Sequence, residues 1–282
     1  MSVLARNEIA SAARIVVKVG SSSISGENAG QIAPLVDALA TAHGRGAEIV
    51  LVSSGAIATG MPYLQLDERP TDLATQQAAA SVGQNLLIFR YQDSLDRYDI
   101  VAGQVLLTAG DLENPSHRSN AHRAMDRLLG LRILPIVNEN DTVATHEIRF
   151  GDNDRLAALV ATLIQADLLV LLSDVDALYT RPPHLPGAEP ISHVGAGDRL
   201  PGVEFGASRS GVGTGGAGTK VSAARIAADA GTAVLVTSTA LVAEALRGDL
   251  VGTWFEPSAG APTLLPGSPA RQTTQPSGSP VA

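Results

Sequence analysis

Polar, glycine-containing turns cut the chain into short apolar runs. Five of these, 15–19, 49–52, 133–137, 168–172 and 233–236, are almost wholly apolar, and a sixth, 101–107, is interrupted by Gly103 and Gln104. A strand with one face in water would alternate. Runs without alternation predict strands buried on both faces, as in a parallel sheet covered by helices. The segments between them carry helical spacing. Ile32, Leu35, Val36 and Leu39 form one stripe, which Gly44 can end, and Leu156, Leu159, Val160, Leu163 and Ile164 form another. Residues 72–98, which include Gly83, and residues 221–230 have helical composition. This alternation predicts an α/β fold: a three-layer αβα sandwich with a mainly parallel central sheet and right-handed crossovers. Residues 8–256 are expected to form one domain, with a lobe division near Phe150. Residues 257–282 hold six of the sixteen prolines and a single charge, Arg271, and read as a disordered Pro-rich tail.

Composition then narrows the classes of function. The chain has 282 residues, 45% apolar and 17% charged, which suits a globular core. A net charge of -8 and only 3% aromatics speak against a nucleic-acid partner. With no cysteine there is no disulfide, thiolate metal site or cysteine nucleophile. The charged N-terminus has no apolar leader segment, and Gln165 and Asp167 break the stretch at 156–172, so a cytoplasmic protein without a membrane partner is expected. One detail is sharper. Of 20 basic residues, 18 are arginine, and the two lysines are Lys18 and Lys220. A GC-rich genome accounts for scarce lysine but not for where these two stand. A compact point charge suits a tight site in a way that a guanidinium does not.

Both lysines sit in motifs. Lys18-Val19-Gly20-Ser21-Ser22 turns a strand into a loop whose N–H groups can cradle phosphate, although a snorkelling lysine beside an ordinary turn has the same sequence. Ser53-Ser54-Gly55-Ala56 follows another strand and reads either as a close ligand approach or as a helix cap. Asn138-Glu139-Asn140-Asp141 puts four polar side chains at the carboxyl end of a buried strand, the edge at which open α/β sheets bind ligands; a polar turn is the alternative. Gly151-Asp152-Asn153-Asp154 opens a helix; capping is one reading but needs only one such residue, and two carboxylates flanking an amide could also hold an ammonium group, orient lysines or reach a metal ion. Ser173-Asp174-Val175-Asp176-Ala177-Leu178-Tyr179 follows a further strand and could accept hydrogen bonds from a nucleotide; a strand-terminal turn is the alternative. Thr214-Gly215-Gly216-Ala217-Gly218-Thr219-Lys220 leads into a helix and suits a phosphate clamp, or else a linker.

In this order, K-x-G-S, S-S-G-A, N-E-N-D, G-D-N-D, S-D-x-D-x-L-Y and G-T-G-G-x-x-T-K, the series resembles the amino acid kinase family over residues 14–256. It is most similar to the branch that phosphorylates the side-chain carboxylate of glutamate at the start of proline biosynthesis. The resemblance implies ATP as co-substrate with Mg²⁺ held largely by phosphates and water, and no protein metal ligand is named. It implies that Lys18 contacts the ATP phosphates, that Lys220 stabilises the transferring phosphoryl group, and that Asp154 organises the two lysines. It assigns glutamate to Ser54, Asp141 and Asn153, with Asn138 and Asp152 as neighbours. Nucleotide contacts fall on Ser173, Asp174 and Thr214, Gly215, Gly216, Ala217, Gly218, Thr219 and Lys220. A homo-oligomer, feedback inhibition by proline and a glutamyl phosphate reductase as functional partner are implied as well.

The sequence departs from the family pattern at three places. Ser173 stands where threonine is more common, and Ala217 where methionine often is. The Pro-rich tail stands where many relatives continue into a PUA domain. Two other readings remain: a sister kinase acting on a different carboxylate or phosphate, and a catalytically silent glutamate or proline sensor. The intact set of Lys18, Asp154 and Lys220 speaks against the sensor. No general base is required in the kinase reading, because a carboxylate with a reference pKa of ~4.3 is already ionised.

Overall fold

The computed structural model describes residues 3–144, 153–198, 200 and 216–258. Its strands are β1 (Arg14–Lys18), β2 (Glu48–Val52), β3 (Ala102–Leu107), β4 (Leu134–Glu139), β5 (Leu168–Ser173), β6 (Leu178–Tyr179), β7 (Pro190–Ile191), β8 (His193–Val194), β9 (Ala233–Ser238) and β10 (Thr253–Phe255). Eight of them form one sheet in the order β3-β4-β2-β1-β5-β9-β10-β8, and β6 and β7 pair separately. Every neighbour in the large sheet is parallel except β9 with β10. All six expected strands are present. β4 runs two residues further than its apolar run, so Asn138 and Glu139 are its last residues and not part of the turn that follows. β1 pairs with β2 on one side and β5 on the other, so the first and second halves of the chain share one sheet.

The helices are α1 (Ile32–Gly44), α2 (Ala56–Gly60), α3 (Leu73–Leu95), α4 (Ala109–Glu113), α5 (Pro115–Gly130), α6 (Asn153–Leu163), α7 (Ala217–Asp229) and α8 (Val242–Arg247). Alternate residues of each strand serve opposite faces. Ile15, Val17, Ile49, Leu51, Leu168, Val170 and Leu172 pack against α1, α3 and α8. Val16, Val50, Val52, Leu169, Leu171, Val234 and Val236 face α4, α5, α6 and α7. The result is the three-layer αβα sandwich with a mainly parallel sheet.

Helix α5 has no counterpart among the expected elements. Its buried positions have helical spacing, but two of the four are Arg118 and His122, so no apolar stripe announces it. Strands β10 and β8 at one end of the sheet, which run antiparallel to β9, also carry too few residues to read as a pattern. Helix α3 is the expected helix within 72–98, with Asp72 as its cap: the carboxylate accepts the Thr75 N–H at 2.8 Å. It crosses α2 at glycine contacts. A Cβ on Gly83 would lie 1.8 Å from the Ala56 carbonyl oxygen, and one on Gly60 would lie 2.0 Å from that of Ala79. Only hydrogen fits at either place, and the crossing holds the turn at 53–55 against α3. Phe150 and the tail from 259 onward lie outside the described residues. Among the described residues no helix is long and apolar enough to cross a membrane.

Candidate active site

The period of two along β1 decides where its lysine goes. Val16 faces the α6–α7 layer, so Lys18 does too, at the carboxyl end of the strand. Helices α6 and α7 begin at that same edge. Asp154 is the second residue of α6, and Lys220 lies in the first turn of α7. Lys18 Nζ stands 2.5 Å from Asp154 Oδ1, and Lys220 Nζ stands 3.2 Å from Asp154 Oδ2. Thr219 Oγ1 donates to Asp154 Oδ2 at 2.9 Å and accepts the Gly216 N–H at 3.0 Å, which fastens the start of α7 to α6. All three charged groups are buried: Asp154 is 0% exposed, Lys18 4% and Lys220 8%.

Burial alone would push the Asp154 carboxyl up. The Lys18 and Lys220 ammoniums, with hydrogen bonds from Lys18 and Thr219, outweigh burial and hold it below the ordinary carboxylate range. Two ammoniums over one carboxylate give these three groups together an excess of one positive charge. In a site shielded from water that excess attracts an anion far more strongly than it would on a surface. Gly20 stands beside it. A Cβ on Gly20 would lie 3.8 Å from Lys18 Nζ, and Gly55, at φ 94°, turns in the left-handed region with its Cα hydrogen toward Ser21.

Next to the charged group lies an amide network. Asn153 Nδ2 lies 2.6 Å from Ser53 O, 2.9 Å from Ser54 Oγ and 2.8 Å from Asn138 Oδ1. Asn138 Oδ1 also accepts the Glu139 N–H at 2.9 Å, and Asn138 Nδ2 donates to Gln84 Oε1 at 2.6 Å. Ser53 Oγ shares a hydrogen bond of 2.9 Å with the Tyr91 hydroxyl. Burial pushes the Tyr91 phenol up, against the smaller effect of Ser53, so it stays protonated. Gln84 and Tyr91 escaped the sequence reading. The signal was present: Ala80, Gln84, Leu87 and Tyr91 fall on one buried stripe of α3, and a glutamine on such a stripe is out of place.

The remaining expected residues divide. Asp141 is half-buried in the turn after β4. Ser173 ends β5, with its Oγ donating to the exposed Asp174 carboxylate at 3.1 Å. Gly216, Ala217, Gly218 and Thr219 lead into Lys220, and the helix begins at Ala217, four residues earlier than expected. Asp152, Thr214 and Gly215 lie outside the described residues.

Comparison with known proteins points the same way. A family model described as the amino acid kinase family matches residues 13–238. A protein named "Glutamate 5-kinase" from Clavibacter sepedonicus is 77% identical over 257 residues, covering 91% of this chain and 99% of its own. One of the same name from Leifsonia xyli subsp. xyli is 78% identical over 92% of this chain and 96% of its own. A third, from Salinispora arenicola, is 58% identical over 90% of this chain and 70% of its own. Among solved structures, carbamate kinase from Giardia lamblia bound to AMP-PNP superposes with a TM-score of 0.65 at 15% identity, over 88% of this chain and 100% of that one, a likeness of fold.

Proposed function

The chain belongs to the amino acid kinase family, and we propose that it transfers the γ-phosphoryl group of ATP to the side-chain carboxylate of L-glutamate, giving L-glutamyl 5-phosphate and ADP, the first step of proline biosynthesis. One observation carries the chemistry: two buried ammoniums share a single carboxylate at the carboxyl edge of a parallel sheet. The difficulty in this reaction is electrostatic, since a carboxylate must approach a polyphosphate. Phosphoryl transfer needs positioning and charge stabilisation more than covalent chemistry. Lys18 is assigned to the ATP phosphates and Lys220 to the phosphoryl group in flight. Asp154 holds both ammoniums in place while leaving their combined charge in excess. The attacking carboxylate is ionised at neutral pH, so no residue is asked to remove a proton.

Nucleotide contacts are assigned to Ser173, Asp174 and the segment Thr214–Lys220. Glutamate is assigned to Ser54, Asn138, Asp141, Asp152 and Asn153. Asp141 and the Asn153 oxygen are acceptors suited to the substrate ammonium. Among the described residues no group of three His, Asp or Glu side chains could hold a metal ion, and Asp154 is occupied by its lysines. Mg²⁺ is assigned as a companion of the nucleotide, held largely by phosphates and water, where it would offset phosphate charge. The reading extends to residues 8–256 as the kinase unit, with 257–282 outside it, working in the cytoplasm as a homo-oligomer. Proline is its feedback inhibitor, and a glutamyl phosphate reductase consumes its labile product.

The test is trapping. With L-glutamate, MgATP and hydroxylamine, the protein is expected to form glutamyl hydroxamate in step with ADP release. Folded protein that releases no ADP in response to glutamate overturns the reading, and preferential turnover of another acid replaces it with a sister kinase.

A further inference from the structure

We infer that Gln84 and Tyr91 of α3 are positioning residues for the glutamate side of the site, acting through Asn138 and Ser53 on Asn153; the inference rests on the function proposed above. Two backbone groups that cannot reverse their roles set the direction of every bond in the chain of amides. The Glu139 N–H can only donate, so the Asn138 atom 2.9 Å from it is Oδ1. The Ser53 carbonyl can only accept, so the Asn153 atom 2.6 Å from it is Nδ2. Asn138 therefore turns its Nδ2 to Gln84, whose facing atom at 2.6 Å is Oε1, and its Oδ1 to Asn153 Nδ2 at 2.8 Å. Asn153 directs both amide protons inward, among Ser53, Ser54 and Asn138. Its Oδ1 accepts no hydrogen bond among the described residues and is left for an incoming donor. A substrate ammonium is such a donor, and a carboxylate is not.

Gln84 is 8% exposed, and its Nε2 has no partner among the described residues. A leucine or methionine on this stripe of α3 would pack without an unpaired donor. What the amide adds is an acceptor, Oε1, for the Asn138 Nδ2 donor. Tyr91, seven residues on along the same stripe, is 0% exposed and ties its hydroxyl to Ser53, whose carbonyl holds Asn153. Helix α3 thus backs the site at two points, and its glycine contact with α2 keeps it close to the turn at 53–55.

Gln84→Met in the full chain conserves volume and removes the acceptor. The glutamate KM is expected to rise about tenfold, the scale of one lost hydrogen bond to a buried amide, with the ATP KM unchanged. Preference for glutamate over glutarate, which lacks the ammonium, is expected to fall alongside. Tyr91→Phe keeps the ring and should raise the glutamate KM in the same direction; if Gln84→Met does not fold, this variant decides alone. In an Asn153→Ala background Gln84→Met should add little, because its effect runs through the Asn153 side chain, whereas a general loosening would still multiply. An unchanged glutamate KM and unchanged discrimination, or fully multiplicative effects, overturn the inference and leave wild-type activity standing. Wild-type protein that does not phosphorylate glutamate overturns the parent reading instead.

Discussion

Asp154→Asn separates the electrostatic role of this residue from its shape, since the amide is nearly isosteric with the carboxylate. In the wild type the carboxylate is 0% exposed and lies 2.5 Å from one ammonium and 3.2 Å from another. Removing it takes away the carboxylate that the two buried ammoniums share. Breaking a buried pair from one side costs about 3–5 kcal/mol. For a domain of this size each kcal/mol moves the melting temperature by about 2–4 °C, so a fall of about 6–20 °C is expected by calorimetry. The folded value of the Asp154 carboxyl lies below its unfolded value, so its contribution is complete above the ordinary carboxylate range and is lost as pH falls through the folded value. The gap in urea midpoint between wild type and variant should therefore narrow on acidification. The same substitution makes the site more positive by one charge, so ATP should bind no more weakly while kcat falls by about 10²-fold or more, the scale of losing a preorganised electrostatic arrangement. Turnover within about threefold of wild type, a loss under 1 kcal/mol of barrier, or loss of ATP binding in step with turnover, would refute the reasoning.

Lys220→Ala is expected to lower kcat by about 10²–10³-fold. Lys18→Arg should be damaging although the charge is kept, because a planar guanidinium does not fit a position 4% exposed beside Gly20; steady-state kinetics checks both, and near-wild-type turnover in either removes the assigned role. Gly83→Ala drives a methyl into the Ala56 carbonyl at 1.8 Å and should cost about 3 kcal/mol, read as a lower urea midpoint with an unchanged m-value. An unchanged midpoint would mean that α2 and α3 part easily.

Much of the architecture was legible because burial on both faces leaves a direct trace in sequence. The central strands read as continuous apolar runs, and their register neighbours are other such runs. The two rare lysines stood out because the other basic residues are all arginine. What stayed hidden had no apolar signature. Helix α5 buries Arg118 and His122, and Gln84 looks like any polar helix residue until the stripe it belongs to is seen to be buried.

By itself the sequence determined the alternation of strands and helices and the edge of the sheet at which the polar motifs gather. These follow from local periodicity, which a chain carries whatever it packs against. Only the tertiary structure decided that Lys18 and Lys220 meet on the two oxygens of one carboxylate, and that α3 reaches behind the site to hold Asn138 and Ser53. Those contacts join residues far apart in the chain, and they exist only once strand order and helix packing have brought β1, α3, α6 and α7 together.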